Sequence, residues 1–296
     1  MAKDKTKPRP DLTARREAER QAALAAARKR RKKRAINWLV GILIVGLALS
    51  GIGYVVWHVR DEQRKLSVSG PASVEQIKPP NAASDGLSIV ANPAVTSTDV
   101  APVVDLYLDY QSSSTVMAMQ YYGPTILALA DAGQMLLRYH FLTGSDAAYG
   151  NTAATRATIA ATCADTVGKF TEYAQAIFTA APYSFSKGAV TYTDDQLQTT
   201  FPNAAGIKGD DLTKFRACYD GRATSAFVIA MNTKNLTTPV PGSSAFPTGV
   251  TTTPTVLSNF QNVDLMTALQ NEPALTPDPV AVLKLFTDAA GITSGG

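Results

Sequence analysis

The run Val103-Val-Asp-Leu-Tyr-Leu-Asp-Tyr110, followed at once by Gln111-Ser-Ser-Ser-Thr115 and then by Val116 to Ala132, decides the reading of this chain. The first stretch is β-branched, aromatic or leucine except for two aspartates, the composition of a strand. The Ser/Thr break supplies side-chain oxygens that accept from the free amides of a helix's first turn. Val116 to Ala132 reads as that helix, kinked at Pro124 and ended by Gly133. Gln134-Met-Leu-Leu-Arg-Tyr-His-Phe-Leu142 reads as a second strand. Strand, helix and strand of these lengths make a βαβ unit with parallel strands and a right-handed crossover.

Downstream of this unit the chain turns helical. Asn151 to Ala181 is rich in Ala and Thr, with Phe170, Tyr173, Ile177 and Phe178 at helical spacing, and is expected as one long helical stretch. Thr193-Asp-Asp-Gln196 is a capping box that opens a helix running to Phe201. Further helices are expected over Asp210–Tyr219 and Arg222–Met231, then a Thr/Pro/Ser/Gly loop over 232–252 and a late strand opened by Thr253-Pro-Thr-Val-Leu257. A terminal helix spans Pro277–Ala290, with Pro279 and Val280 in its first turn. Upstream, Leu87-Ser-Ile-Val90 offers a first edge strand within an otherwise Pro-, Ser- and Ala-rich stem over 60–100.

The N-terminal part has a different character. Residues 1–34 carry fourteen Lys/Arg against four Asp/Glu, a balance of +10, whereas the remaining residues carry fourteen basic and twenty acidic side chains, a balance of −6. The overall +4 is therefore a property of the tail. From Ala35 to Val59 no Asp, Glu, Lys or Arg occurs. Ile36 to Trp57 would be roughly 33 Å long as a helix, close to the hydrocarbon thickness of a bilayer. Trp38 stands at one end and Tyr54 and Trp57 at the other, as an interfacial aromatic belt requires. The unbroken run Arg28, Lys29, Arg30, Arg31, Lys32, Lys33, Arg34 directly before it sets the N-terminus on the cytoplasmic side and favours anionic lipid head groups over nucleic acid. The expected organisation is a basic tail over 1–34, a single transmembrane helix over 35–59, the stem over 60–100 and an extracytoplasmic domain over 101–292, placed at a cell membrane.

The only two cysteines, Cys163 and Cys218, both fall in the exported part, where an even count favours one disulfide over two buried thiols. The only histidines are His58 and His140, so no metal site is expected, and Ser112 lacks an evident general base. His140 is expected to be structural.

Taken in order, the strand ending Leu106-Tyr-Leu-Asp-Tyr110, the kink Tyr121-Tyr-Gly-Pro124, Tyr139-His140, Ala160-Ala-Thr-Cys-Ala164, Tyr192-Thr-Asp194, Phe215-Arg-Ala-Cys218 and Thr252-Thr-Pro-Thr-Val256 resemble the DsbA-like branch of the thioredoxin superfamily over about residues 101–290. The resemblance implies an α/β, thioredoxin-like core with a helical insertion. It implies a cis-proline loop at Thr253 and Pro254, and a structural disulfide between Cys163 and Cys218 across the insertion, as in some actinobacterial DsbA-like proteins. The family carries Cys-x-x-Cys directly after its strand. Here those positions are Ser112, Ser113, Ser114 and Thr115. A serine hydroxyl neither forms nor resolves a mixed disulfide, because the exchange needs a thiolate. The chain is therefore expected not to be an enzyme and to need no cofactor. It is read as a redox-inactive accessory subunit of a respiratory or envelope-building membrane complex, with Met117, Met119, Tyr121 and Tyr122 lining an apolar face or the core. The alternative is an extracytoplasmic thiol–disulfide oxidoreductase or a chaperone for exported proteins.

Overall fold

The computed structural model describes residues 74–93, 101–181, 191–271 and 277–292. All of them belong to the compact unit within Asp61–Gly296. Among them no helix is long and apolar enough to cross a membrane. The expected span at 35–59 and the basic run Arg28–Arg34 lie outside the described residues.

Strand β1 (Ile89–Val90) is followed by β2 (Val103–Leu108), helix α1 (Ser113–Asp131) and β3 (Leu136–Phe141). Five helices come next: α2 (Gly144–Tyr149), α3 (Ala153–Asp165), α4 (Phe170–Ala180), a π turn (Gln196–Thr200) running into α5 (Phe201–Ala204), and α6 (Gly209–Gly221). Then follow α7 (Ser225–Thr237), β4 (Thr255–Ser258), β5 (Gln261–Asn262), α8 (Leu265–Asn271) and α9 (Pro279–Ala289). The strands form one sheet in the order β1-β3-β2-β4-β5. β2 and β3 are parallel, from Val103 opposite Leu136 to Leu108 opposite Phe141. β1 and β4 run antiparallel to them. The βαβ unit read from the sequence is present, wrapped as a thioredoxin-like core around which the helices of 144–237 are inserted.

The two-residue period of the strands sorts the core into two sides. Val104, Leu106 and Leu108 of β2, Leu137, Tyr139 and Phe141 of β3 and Val256 of β4 join the large apolar cluster that includes Val116, Met119 and Tyr122 of α1. Tyr107 and Leu257 face the other way, into a smaller cluster with Leu142, Val240 and Val250. Met119 and Tyr122 are thus core residues, while Met117 and Tyr121 are half-buried. Pro124 is accommodated inside α1, on its exposed side, and Gly133 ends the helix at φ +73°.

Three expectations are corrected. The stretch 151–181 is two helices, because Gly168 takes φ +67° and closes α3, with its N–H on Asp165 O and that of Lys169 on Ala164 O. Phe170, Tyr173, Ile177 and Phe178 are buried, as their spacing required. The loop read over 232–252 begins only at Thr238, because α7 continues through Asn232–Thr237. Asn235 of that turn is buried against His140 and Leu87, tertiary bonds that override a weak helical propensity. Helix α8 was not read from the sequence at all. Residues 74–93, assigned to the stem by composition, pack on the domain: β1 extends the sheet, and Asn92 is buried with its amide on Ala130 O and Met135 O.

One glycine in the 238–254 loop is obligatory. Gly249 has φ +123°, and a Cβ there would stand 2.4 Å from the backbone of Leu236. Gly249→Ala is expected to lower the unfolding free energy by about 2 kcal/mol, read as a shift of the urea midpoint.

Candidate functional site

The site expected from the sequence lies at the C-terminal end of β2, where α1 begins. Ser112 caps the helix in extended conformation, and its Oγ accepts from Thr115 N at 3.3 Å. Ser113 and Ser114 are half-buried in the first turn, and Thr115 is buried. The loop before β4 meets this turn: Ser112 Oγ and Ser114 Oγ lie 3.3 and 3.1 Å from Thr253 O, and 2.9 Å from each other. The Thr253–Pro254 peptide is cis. The structure therefore brings together two of the sequence-predicted groups, Ser112–Thr115 and Thr253–Pro254. The third, Cys163 with Cys218, forms a disulfide between α3 and α6, with the Cα atoms 5.7 Å apart. It is carried on the helical insertion rather than on α1.

Three close oxygen pairs among Ser112, Ser114 and Thr253 are served by only two hydroxyl protons. When one serine donates to the other, Thr253 O accepts a single bond and keeps a lone pair for another donor. The pairing of β4 with β2 stops at Thr255, so Thr253 lies just beyond the ladder, half-buried, and its N–H donates to no described residue. One residue at the helix tip thus presents both a backbone donor and a backbone acceptor.

Beneath the cap a polar cluster joins the core to the insertion. Gln111 is fully buried and its amide donates to Asp146 Oδ1 and to Asn151 Oδ1. Asp146 also accepts from Ala154 N and Thr155 N, the free amides that open α3. Asp109 accepts from Gln111 N and Ser145 N. Burial pushes both carboxyls above their ordinary value, and the amide bonds pull only part of that back. Asp146→Ala is expected to cost about 2 kcal/mol, because it frees two helix amides and leaves Gln111 with Asn151 alone as acceptor; urea unfolding reads it out.

A second polar cluster, absent from the sequence reading, lies on the α7 side of the sheet. Asp105 is buried in β2 and takes Arg138 Nε at 2.6 Å, Arg138 Nη2 at 2.7 Å and His140 Nε2 at 2.8 Å. His140 Nδ1 meets Asn235 Oδ1 at 3.1 Å, and Asn235 Nδ2 donates to Leu87 O. Tyr107 stacks on the imidazole, with centroids 4.2 Å apart. Both ring nitrogens therefore lie within hydrogen-bond distance of side-chain oxygens. The structural role expected for His140 is what the geometry provides. The sequence signal was available: an aspartate in the middle of an apolar strand needs a buried partner, and Arg138 and His140 alternate with apolar residues on the neighbouring strand. Among the described residues no group of three or more His, Cys, Asp or Glu side chains could hold a metal ion.

Neither a family model nor a curated protein matches this chain. Solved structures do. The MdbA thiol–disulfide oxidoreductase of Actinomyces oris is 17% identical, with 75% of this chain and 96% of that chain covered and a TM-score of 0.51. MdbA of Corynebacterium diphtheriae is 14% identical over 70% of this chain and 98% of that one, TM-score 0.47. Oxidised DsbA of Mycobacterium tuberculosis is 19% identical over 66% and 85%, TM-score 0.41. The Actinomyces oris structure, a thiol–disulfide oxidoreductase on the same fold, corrects the expectation that the chain is not an enzyme, and it lends nothing to the reading of a redox-inactive accessory subunit. The chain has the thioredoxin-like α/β fold with a helical insertion that DsbA-like oxidoreductases use.

Proposed function

We propose that this chain is a chaperone for exported proteins, which binds them in extended form along Thr253 at the tip of α1. The supporting observation is the pair of backbone groups on Thr253, an N–H with no acceptor among the described residues and a carbonyl with a lone pair to spare, at the open end of the β4 ladder. An extended polypeptide satisfies both at once by adding a short strand, and its side chains then alternate toward and away from the domain. In this reading residues 35–59 anchor the chain in a bacterial cell membrane with the N-terminus inside. Arg28–Arg34 rests on anionic lipid head groups, and the domain works at the outer face beside the membrane and envelope proteins it serves. The test is binding of a permanently unfolded, carboxymethylated polypeptide to the full chain, read by fluorescence anisotropy. Ser113→Trp, a bulky side chain on the half-buried first turn, should weaken it at least about tenfold without moving the urea midpoint. Equal binding by the variant, or none by the parent, would refute the proposal.

A second reading, thiol–disulfide exchange at Cys163–Cys218, is favoured by one observation. The bridge is asymmetric: Cys163 is fully buried, with Thr224 Oγ1 3.7 Å from its sulfur, whereas Cys218 is 8% exposed at the rim. An incoming thiolate would meet Cys218, and Cys163 would leave beside a hydroxyl donor. Turnover of a disulfide-bonded substrate that vanishes in Cys163→Ala/Cys218→Ala, while polypeptide binding persists, would support exchange as a separate activity.

A further inference from the structure

We infer that the Cys163–Cys218 disulfide is a redox latch on the segment Val74–Ala82, closing the clamp that holds this segment against the helical insertion. The inference does not rest on either reading above.

Residues 74–81 form no helix or strand, yet the helical insertion holds them at two places, in addition to the bond from Val90 N to Asn81 O and the bridge of Ala82 with Ile89 that tie the segment's end to β1. The first is the corner between α6 and α7. Gln76 Nε2 donates to Arg222 O at 3.2 Å, and Gln76 Oε1 accepts from Ser225 Oγ and Ala226 N, each at 3.0 Å. Ile77 N donates to Ala223 O at 2.8 Å. Val74 sits so close over Gly221 that a Cβ there would stand 3.2 Å from its methyl. The second place is the end of α3, where Asp165 accepts from Asn81 N at 2.8 Å and from Asn81 Nδ2 at 2.7 Å.

Each of these two grips lies next to one half of the disulfide. Asp165 follows Cys163 by two residues, and the corner begins three residues after Cys218. Ala223, which receives Ile77, donates its own N–H to Cys218 O at 3.0 Å. Thr224 of the same corner meets Thr162 of α3 at 2.7 Å and lies beside Cys163 Sγ. The bridge is thus the covalent tie between the two elements that grip one segment. The corner also contains Arg222 at φ +51°, a left-handed conformation that a residue with a Cβ holds only under restraint from its surroundings. Cutting the tie removes one such restraint from the corner on which Gln76 and Ile77 depend.

The chemistry is ordinary exchange with a dithiol. A thiolate of the dithiol attacks Sγ of Cys218 and forms a mixed disulfide. The Cys163–Cys218 bond breaks, and Cys163 leaves as a thiolate that takes up a proton. The dithiol's second thiol then displaces Cys218, and the products are two cysteine thiols and the disulfide of the dithiol. With the bridge closed, the segment is fixed across α3 and the α6–α7 corner. With it open, only the Thr162–Thr224 bond and packing join the two grips, and the segment detaches more often, which would make the connection between the domain and whatever precedes residue 74 responsive to the redox state of its surroundings.

Amide hydrogen exchange of the full chain, oxidised and then reduced with dithiothreitol, tests this. The amides of Ile77 and Asn81 should exchange at least about tenfold faster after reduction, while those of β2 and β3 keep their protection. Unchanged exchange at Ile77 and Asn81 would overturn the inference. So would an equal loss across β2 and β3, which would make the bridge a staple of the whole domain. Coupling is reciprocal. The double variant Gln76→Ala/Asn81→Ala should therefore reach half-reduction at a lower ratio of dithiothreitol to its oxidised form, and an unshifted ratio would equally overturn it.

Discussion

Replacing Asp105 with asparagine is expected to lower the unfolding free energy by about 3 kcal/mol, among the largest effects of any single substitution in the domain. The side chain keeps its shape, so packing is conserved and the loss is electrostatic. Among the described residues this carboxylate, 3% exposed, is the one in ion-pair contact with His140, which is 4% exposed, and with Arg138, which is 23% exposed. Asparagine offers one acceptor where the carboxylate served three N–H bonds, and its amide nitrogen would face a donor. Removing one partner of a buried charge cluster strands the others. The same residue sets a pH dependence. Burial raises the Asp105 carboxyl, but the hydrogen bonds and charges of His140 and Arg138 outweigh it and leave the carboxyl below its ordinary 3.8. A carboxyl depressed in the folded state contributes stability above its unfolded value, and that contribution is lost as pH falls through the folded one. Asp109, Asp146 and Asp165 are raised by burial and act in the opposite direction. Their contributions are present in acid and lost as pH rises through their folded values. The acid limb of the parent therefore mixes both signs. The difference between parent and Asp105→Asn isolates Asp105: it should be full above pH 3.8 and shrink below it. Urea unfolding of both proteins across that range measures it, and a difference independent of pH would refute the assignment. A double-mutant cycle with His140→Asn should give a coupling of about 1 kcal/mol or more.

What the sequence revealed follows from which forces are local. The strand Val103–Leu108, the capped helix after it and the capping box at Thr193–Gln196 were legible because their signals are periodicity and side-chain-to-backbone bonds within a few residues. The capping box is present in both directions, with Thr193 N on Gln196 Oε1 and Gln196 N on Thr193 Oγ1. Breaks and extensions settled by distant contacts were not legible. Gly168 in the run Thr166-Val-Gly-Lys169 divides two helices of good propensity, and a single glycine is weak punctuation until its φ is known. The last turn of α7 is Asn- and Thr-rich and reads as loop, yet Asn235 is fixed from outside by His140 and Leu87. The adhesion of residues 74–93 was hidden for the same reason. Composition reports that such a segment cannot build a core alone. It does not report that Asn81 and Gln76 find partners on α3 and at the α6–α7 corner, 84 and up to 150 positions away. At the candidate site, residue types alone exposed the capping serine Ser112. The two-proton, three-pair arrangement on Thr253 O depends on a loop 139 residues later in the chain.

The second large effect is expected at the disulfide. Cys163→Ala/Cys218→Ala should lower the unfolding free energy by up to about 4 kcal/mol, the chain entropy released when a loop closed across 55 residues is opened in the unfolded state. Apolar packing contributes little to the difference, because alanine keeps the Cβ of each buried cysteine and only the two sulfur atoms are lost. The size of the loss and the denaturant slope together say where the bridge acts. A staple that constrains only the unfolded chain leaves the native surface unchanged, so the midpoint falls while unfolding exposes somewhat more surface and the slope rises. A bridge that also holds residues 74–82 in the native state gives the opposite sign. Without it the segment is already partly detached before unfolding begins, less surface remains to be exposed, and the slope falls. Urea unfolding of the parent and the double alanine variant, fitted for both midpoint and slope, separates the two. A midpoint drop with a raised slope would confine the disulfide to its entropic role. A drop with a lowered slope, and with β2 and β3 still protected from exchange, would place its action on the clamp formed by Asp165 and the α6–α7 corner.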